Sequence, residues 1–401
     1  MKARVILLSL AAAALPLPFT AATARTDLLD LASGSTVLAF SSEYGGGWPA
    51  LALIDGTAQM GWCSDSGKAF PNTLVLELPQ RHVLTSIALD NIGAQEASYG
   101  GVSARTVEVH ASTTSAGSGY KKLATLEAPK GARKEFTLPA GSEAQWLKLV
   151  VTSNWGNEEY TELMELEAYG RPGPPAPAHD ISGVYDTNYS LLALHQSGNR
   201  VAGCYYDGEG VLSGATTGRT AQFEWRQAFG SDAGTAMVVP SSKEDFLNGL
   251  WYRGGALSGT WFGPRAPAGQ KPGCLPGSSA GLGDALKATG RAIVYGIQFD
   301  SDSANLKPES EATLRRILEL LNSQKGLRLV IEGHTDSTNT DAYNLDLSQR
   351  RSAAVVAWLT KQEIEASRLS SKGFGKARPV ADNTAPQGGA LNRRVEIAAA
   401  K

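Results

Sequence analysis

The chain has 401 residues, too many for one hydrophobic core, and 42% of them are hydrophobic against 19% charged. That balance excludes intrinsic disorder and points to two or three globular domains. Lys and Arg total 37 and Asp and Glu 39, a net charge of −2, so no global field draws the protein to nucleic acid or acidic lipid.

The N-terminus reads as an export signal. Lys2 and Arg4 precede an apolar run from Val5 to Leu15, and Ala22-Thr23-Ala24 has the small-x-small pattern of a cleavage site, so residues 1–24 are expected to be removed. Pro16 and Pro18 would break a longer span, and no Cys stands at the cleavage point to carry a lipid. No later segment approaches the roughly 20 apolar residues of a membrane helix. The mature chain is therefore expected in an exported, oxidising compartment, the periplasm, with no transmembrane segment. Such a compartment permits disulfides. Cys204 and Cys274 flank one middle region and are the expected pair, with Cys63 a buried thiol; the odd count leaves the pairing open.

Two Pro-rich stretches, 171–179 and 265–290, read as linkers and divide the chain into blocks at 37–170, 180–264 and 291–401. In the first block, Thr73 to Leu78, Thr106 to His110 and Trp146 to Val151 alternate apolar and polar residues. Period two with turns between implies an antiparallel sandwich. LIDGTAQMGWCS (53–64), TVEVHAS (106–112) and ELMELEAYG (162–170) together resemble the discoidin, or F5/8 type C, jelly roll found in many carbohydrate-binding modules. The resemblance implies sugar recognition by loops at one end of the sandwich. Aromatic rings there would pack on sugar C–H faces, and Tyr44, Trp48, Tyr99 and Trp155 are the candidates. The competing reading packs these rings against the barrel end; Trp62 is expected in the core. The resemblance also implies a structural Ca²⁺ held by Asp55 and Glu165, against the plainer reading of a turn Asp and a strand-edge Glu.

The second block is rich in Gly and aromatics, with short strand-like pieces such as 200–206, 222–225, 250–252 and 259–262. It predicts a small antiparallel β-barrel or sandwich, too short to be a transmembrane barrel. Gly203 and Trp225 read as packing positions, and the residues name no ligand.

From Arg291 the pattern becomes α/β. Ala292 to Phe299 is an apolar strand. Leu314, Ile317, Leu318 and Leu321 share one face of a helix over 307–324. Leu327 to Glu332 is a strand, 345–362 a second helix with Val355, Val356 and Leu359 toward the core, and Val395-Glu396-Ile397 closes the domain. Five stretches now occur in order: FDSDSANLKP (299–308), IEGHTDST (331–338), YNLDLSQRRSAAVVAWL (343–359), GFGKARPVADN (373–383) and NRRVEI (392–397). They are similar to the OmpA-like (OmpA/MotB/Pal) domain, which binds peptidoglycan without cleaving it. The resemblance places Asp336 on the ammonium and Arg351 on the carboxylate of a diaminopimelate stem residue. A carboxylate and a guanidinium fork read both charges of that zwitterion at once. Asp300, Thr338 and Asn344 are secondary candidates, with Asn392 and Arg394 supporting the pocket. Arg350, one helical position away, points about 100° elsewhere. Asp336 and Arg351 pairing with each other is the alternative. His334 reads as a packing residue and Arg393 as an exposed strand charge. Two departures stand out: Asn339 replaces a turn glycine and is expected to tolerate a left-handed backbone, and Gly389 stands where relatives often carry Arg.

The expected whole is multidomain: a β jelly-roll sandwich, a small antiparallel β-barrel or sandwich, then an α/β OmpA-like sandwich domain. The leading function is an envelope protein at the outer membrane that binds peptidoglycan and tethers two β-rich modules, with a carbohydrate or envelope protein as further partner. The alternative is a glycan-binding adhesin or sensor. A wall hydrolase is the third reading, but no nucleophile elbow, zinc motif or acid pair appears. No cofactor is required; a structural Ca²⁺ in the first block is what the resemblance implies, with the turn-Asp reading as its rival.

Overall fold

The computed structural model describes residues 25–45, 48–67, 70–173, 179–205, 210–227, 232–270, 282–384 and 386–400. The expected signal segment and Cys274 lie outside the described residues.

The first domain contains β1 (Thr36–Phe40), β2 (Trp62–Cys63), β3 (Asn72–Asp90), β4 (Ala104–Ser112), β5 (Lys121–Glu127), β6 (Arg133–Asn154), β7 (Glu162–Leu163) and β8 (Glu165–Pro172). Hydrogen-bonded order is β1-β3-β6-β4-β5, with β8 on β3 and a β2-β7 ribbon. The long strands β3 and β6 serve both layers: the first part of β3 carries β1, and its 82–90 half carries β8. Alternation does the work here, because Leu74, Leu76 and Leu78 face Leu147, Leu149 and Val151 in one buried core. Trp62 is fully buried in it. Two boundaries differ from the sequence reading. Leu28, Leu29 and Leu31 also enter this core, and the Leu28 amide donates to the Ala168 carbonyl at 2.8 Å. At the other end β8 runs on through Pro172, into the expected linker.

The second domain is an eight-stranded meander, β9 (Gly183–Thr187), β10 (Ser190–Ser197), β11 (Arg200–Tyr205), β12 (Gly210–Thr217), β13 (Thr220–Gln227), β14 (Ala233–Pro240), β15 (Phe246–Arg253) and β16 (Ala256–Pro264), each paired with the next. It closes on itself. The Asn188 amide donates to Phe262 O at 3.0 Å, Ala266 donates to Val184 O at 2.8 Å, and Tyr185 bridges Arg265. It is therefore a barrel, filled by Tyr185, Leu192, Val201, Phe223, Val238 and Trp261 among others. Cys204 is disulfide-bonded, and Cys63 is free and buried.

The third domain carries α1 (Leu282–Thr289), β17 (Arg291–Val294), α2 (Glu311–Ser323), β18 (Leu329–Gly333), α3 (Asp341–Lys361), β19 (Leu369–Gly373), α4 (Pro386–Asn392) and β20 (Val395–Ala399), with sheet order β17-β20-β18-β19. The α1 helix corrects the linker reading of 265–290: Leu282 and Leu286 bury against the domain core, and left-handed Gly290 (φ 74°) ends the helix. The first strand stops at Val294 because Gly296 (φ 92°) turns the chain. The helix over 341–361 begins a turn earlier than its apolar pattern, since Thr340 Oγ1 caps the Tyr343 amide at 3.3 Å. Leu314, Ile317, Leu321, Val355 and Leu359 are buried, with Leu318 and Val356 partly so.

The domains are joined by more than linkers. Glu77 of the first domain and Arg219 of the barrel form an ion pair whose side chains are each 1% exposed. Trp146 Nε1 and the Ser242 amide donate to the Glu77 carboxylate at 2.9 Å each, and Arg219 donates to the Pro240 and Leu78 carbonyls. Every charge in this buried pair is hydrogen-bonded, the condition under which such a pair is tolerated.

Candidate functional site

Asp336 lies just past β18 and Arg351 in the middle of α3. Two glycines seat that helix on the sheet. A Cβ at Gly333 would lie 2.2 Å from the Ser348 carbonyl, and one at Gly373 would lie 2.5 Å from the Gln349 amide; any side chain would push Arg351 outward. Arg351 Nε donates to Ser303 O at 2.9 Å and its guanidinium stacks 5.0 Å from the Phe299 ring. Asp300 contributes its carbonyl, 3.4 Å from Arg351 Nη2, while its side chain is exposed.

Asp336 does not pair with Arg351. Its Oδ2 accepts from Arg393 Nη1 at 2.6 Å, and its Oδ1 from the Thr338 amide at 3.0 Å. Arg393 is therefore a member of the site, correcting its reading as a plain strand charge. Burial works against the Asp336 charge, but Arg393 and Thr338 outweigh it and hold the carboxyl below its ordinary range. Arg351 is drawn below the ordinary arginine range by burial and then by Arg393. Asp302 also acts on Arg351 and Asp30 on Arg393, so the two guanidiniums are balanced by acids around them, and Arg351 and Arg393 are the charges that face the neighbouring cavity. Beside them is a cavity of about 250 Å³ lined by Phe299, Arg351 and Arg393, with Thr217, Thr220 and Gln222 from the barrel and Ala32 from the N-terminal segment.

Three further candidates are framework rather than ligand contacts. Asn344 is buried and donates to Asn339 O at 3.0 Å. Asn392 is fully buried and ties down the 380–383 loop through Val380, Ala381 and Asn383. Arg394 is buried against Glu396 and the Arg378 carbonyl. Arg350 pairs outward with Asp346 at 2.7 Å. Asn339 keeps an ordinary backbone, and its carbonyl takes Asn344 and Lys376 instead. Gly389 lies against the pair: a Cβ there would sit 3.3 Å from Arg393 Nη1.

His334 packs flat on Phe374 at 5.4 Å. Burial, then Arg394, Arg378 and Arg291, push it down to about 2, so it is neutral and its 3.5 Å approach to Glu396 is no ion pair. Glu332, His334 and Glu396 are close enough together to hold a metal. Arg291, however, is on Glu332 at 2.7 Å and Arg394 is on Glu396, which leaves no negative charge for a cation.

In the first domain, Tyr44 and Tyr99 meet around Tyr160, each 5.6 Å from it edge-on. Sequence reasoning missed Tyr160. Trp155 is not part of that group: Arg105 covers its ring at 4.5 Å and its Nε1 donates to Ala128 O. Trp48 is half-buried beside residues 46–47, which lie outside the described residues.

Asp55 and Glu165 do come together, with two acids the sequence gave no reason to choose, Asp27 and Asp30. Burial lifts Asp27 and Asp55 to about 7, Asp30 to about 6 and Glu165 well above its ordinary value. Glu165 Oε1 accepts from the Gly56 amide at 3.3 Å, while its Oε2 has no hydrogen-bond partner among the described residues. The orphaned Glu165 oxygen and the repulsion from Asp55 suit a hard cation at those two residues, but the four acids do not bring three ligand atoms within 4.8 Å of one another and so form no ready-made cage.

Residues 298–393 match the OmpA family, and residues 37–166 match the F5/8 type C domain. The chain is 36% identical over 174 residues to the peptidoglycan-associated lipoprotein of Pseudomonas aeruginosa, covering 42% of this chain and 96% of that protein. It is 41% identical over 101 residues to outer membrane porin F of the same organism, 25% of this chain and 29% of the porin. It is 35% identical over 132 residues to the peptidoglycan-binding protein ArfA of Mycobacterium bovis, 32% of this chain and 39% of that protein. This chain therefore spans less than a third of the porin and about two fifths of ArfA.

Proposed function

We propose, from the premise that this chain belongs to the OmpA family, that it grips peptidoglycan through the Asp336–Arg351 pocket and holds two β-rich domains at the wall. The reading is carried by Arg351, which faces the cavity while Asp336 beside it is held by a different residue, Arg393. A diaminopimelate zwitterion brings one carboxylate to Arg351, and its ammonium replaces Arg393 on Asp336. Both charges are then met by charge-assisted hydrogen bonds, and no bond is made or broken, so the protein acts as a binder rather than an enzyme. The setting is the periplasm, at the peptidoglycan and near the outer membrane. Asp300 and Thr338 serve through backbone groups that fix the two charged side chains. Ca²⁺ on Asp55 and Glu165 would neutralise two of the buried acids of the first domain.

The test is co-sedimentation of the mature chain with diaminopimelate-type sacculi. Asp336→Ala and Arg351→Ala should each leave the protein in the supernatant, a loss of about a hundredfold or more for one charged partner. Pelleting of both at the wild-type level would refute the pocket. A second reading, a glycan-binding adhesin or sensor, is favoured by the exposed Tyr44–Tyr160–Tyr99 cluster. On a glycan array it predicts sugar binding that Tyr160→Ala removes.

A further inference from the structure

The barrel has an aromatic mouth that neither family accounts for. At the end where β11, β13 and β15 finish, Tyr189, Tyr205, Trp225, Trp251 and Trp261 line a cavity of about 180 Å³, with Gln227 and Arg253 at its rim. The rings meet edge to face at 5.0–6.3 Å. Their placement is built into the strand register. Tyr205 pairs with Gly210, Trp225 with Gly234 and Trp251 with Gly259. A Cβ at those glycines would lie 2.1 Å from Tyr205 Cζ, 2.7 Å from Trp225 Cζ2 and 2.9 Å from Trp251 Nε1. Each ring thus lies down across a glycine of the neighbouring strand instead of standing up to plug the lumen. Three aromatic–glycine pairs at one end hold a mouth open, where burying the rings would have closed it.

The polar groups narrow the ligand. Tyr205 Oη, Trp225 Nε1 and Trp251 Nε1 are buried with no hydrogen-bond partner among the described residues. An apolar chain would leave these three donors unmet, at a cost to each. A cation would face the Arg253 guanidinium, which lies 5.5 and 5.8 Å from the Trp251 and Trp225 rings. An anion finds that guanidinium already taken by Asp232 at 2.9 Å. What remains is a neutral molecule with a flat C–H face and acceptor oxygens, about one ring in size. We infer that the barrel mouth binds a pyranose unit of an uncharged saccharide. The sugar face stacks on Trp251 and Tyr189, and its oxygens accept from the indole N–H groups. The Arg253–Asp232 pair and Gln227 read hydroxyls at the rim, donor and acceptor together. This site is separate from the wall pocket and from the Tyr160 cluster.

The mature chain would be titrated with D-glucose, D-galactose and N-acetylglucosamine oligomers, and with laurate and choline as apolar and cationic probes. Tryptophan fluorescence and ligand-observed NMR would report binding. The expected result is saturable binding of a saccharide that Tyr189→Ala and Trp251→Phe each weaken about tenfold, while Tyr160→Ala and Arg351→Ala leave it unchanged. Trp251→Phe removes the N–H together with part of the stacking face, so its melting temperature is read beside its affinity, and a lost affinity at an unchanged melting temperature separates ligand contact from folding. Saturation by laurate or choline in place of any sugar would overturn the inference. So would sugar binding that Tyr160→Ala abolishes and the two barrel variants leave intact, or no binding of any saccharide.

Discussion

The third domain and the first both bury acids, and they balance them in opposite ways. In the third, Glu332 sits on Arg291, Glu396 on Arg394 and Asp336 on Arg393. In the first, Asp27, Asp30 and Asp55 all act on the buried Glu165, and among the described residues Arg393, reaching over from the third domain, relieves Asp30. Paired acids have their counter-charge built into the fold. Unpaired ones are held in a state that a proton or a cation must complete. The difference shows that acid content alone says little; the count of bases within reach decides whether a buried carboxylate is structural or waiting for something.

The sharpest way to break the comparison is with Ca²⁺. The first-domain acids have raised pKa values, so their contribution to stability is present at low pH and is lost as pH rises through 6 to 7. At pH 8 saturating Ca²⁺ should raise the melting temperature of the first domain by roughly 5 °C, and Glu165→Gln should remove most of that gain. The gain should shrink at pH 5, where protons already occupy the site. A calcium effect of equal size at pH 5 and pH 8, read by calorimetry, would count against the cluster. The third domain should respond with the other sign. His334 is neutral in the fold, so the unfolded chain takes up the extra proton below about 6.5, and the domain should lose roughly 2 kcal/mol between pH 6.5 and 5. His334→Phe, which keeps the stack on Phe374, should flatten that slope in urea titrations at the two pH values. A smaller effect concerns Arg393. If it only occupies Asp336 until ligand arrives, Arg393→Ala should change sacculus affinity by less than about tenfold; a loss as large as that of Arg351→Ala would make it part of the binding pair. Smallest of all is Cys63. Burial pushes its thiol up to about 12, so Ellman's reagent should leave it untouched in the native protein and label it in guanidinium.

The sequence was most legible where an ordered set of motifs marks a family. Asp336 and Arg351 could be named because HTD and LSQRR sit at fixed places on a strand end and a helix. The apolar faces of the two long helices and the alternating strands of the first domain were legible for the same reason, since periodicity survives without neighbours. What could not be read depends on contacts distant in sequence. Arg393 looked like a strand charge because its partner lies fifty-seven positions earlier. Asp27 and Asp30 gave no signal, because only folding brings them to Glu165. Asn392 and Arg394 were placed near the pocket by their motif, but their burial in the loop and sheet behind it follows from tertiary packing. The aromatic–glycine pairs of the barrel are visible in sequence as residues, and become a pattern only once the register is known.

The Glu77–Arg219 pair has a mechanical consequence. By covalent connection alone, a pull between the first domain and the rest of the chain would run through residues 173–179. The ion pair and the hydrogen bonds around it join the same two domains in parallel, and because both side chains are sealed from solvent, dissolved salt screens them little. Under modest load the protein then behaves as a short strut. The junction is wider than the pair, since Met237, Val239, Leu250 and Tyr252 of the barrel bury into the first domain's core and Asn248 donates to Val37 O, so a load is spread over the whole face rather than borne by one bond.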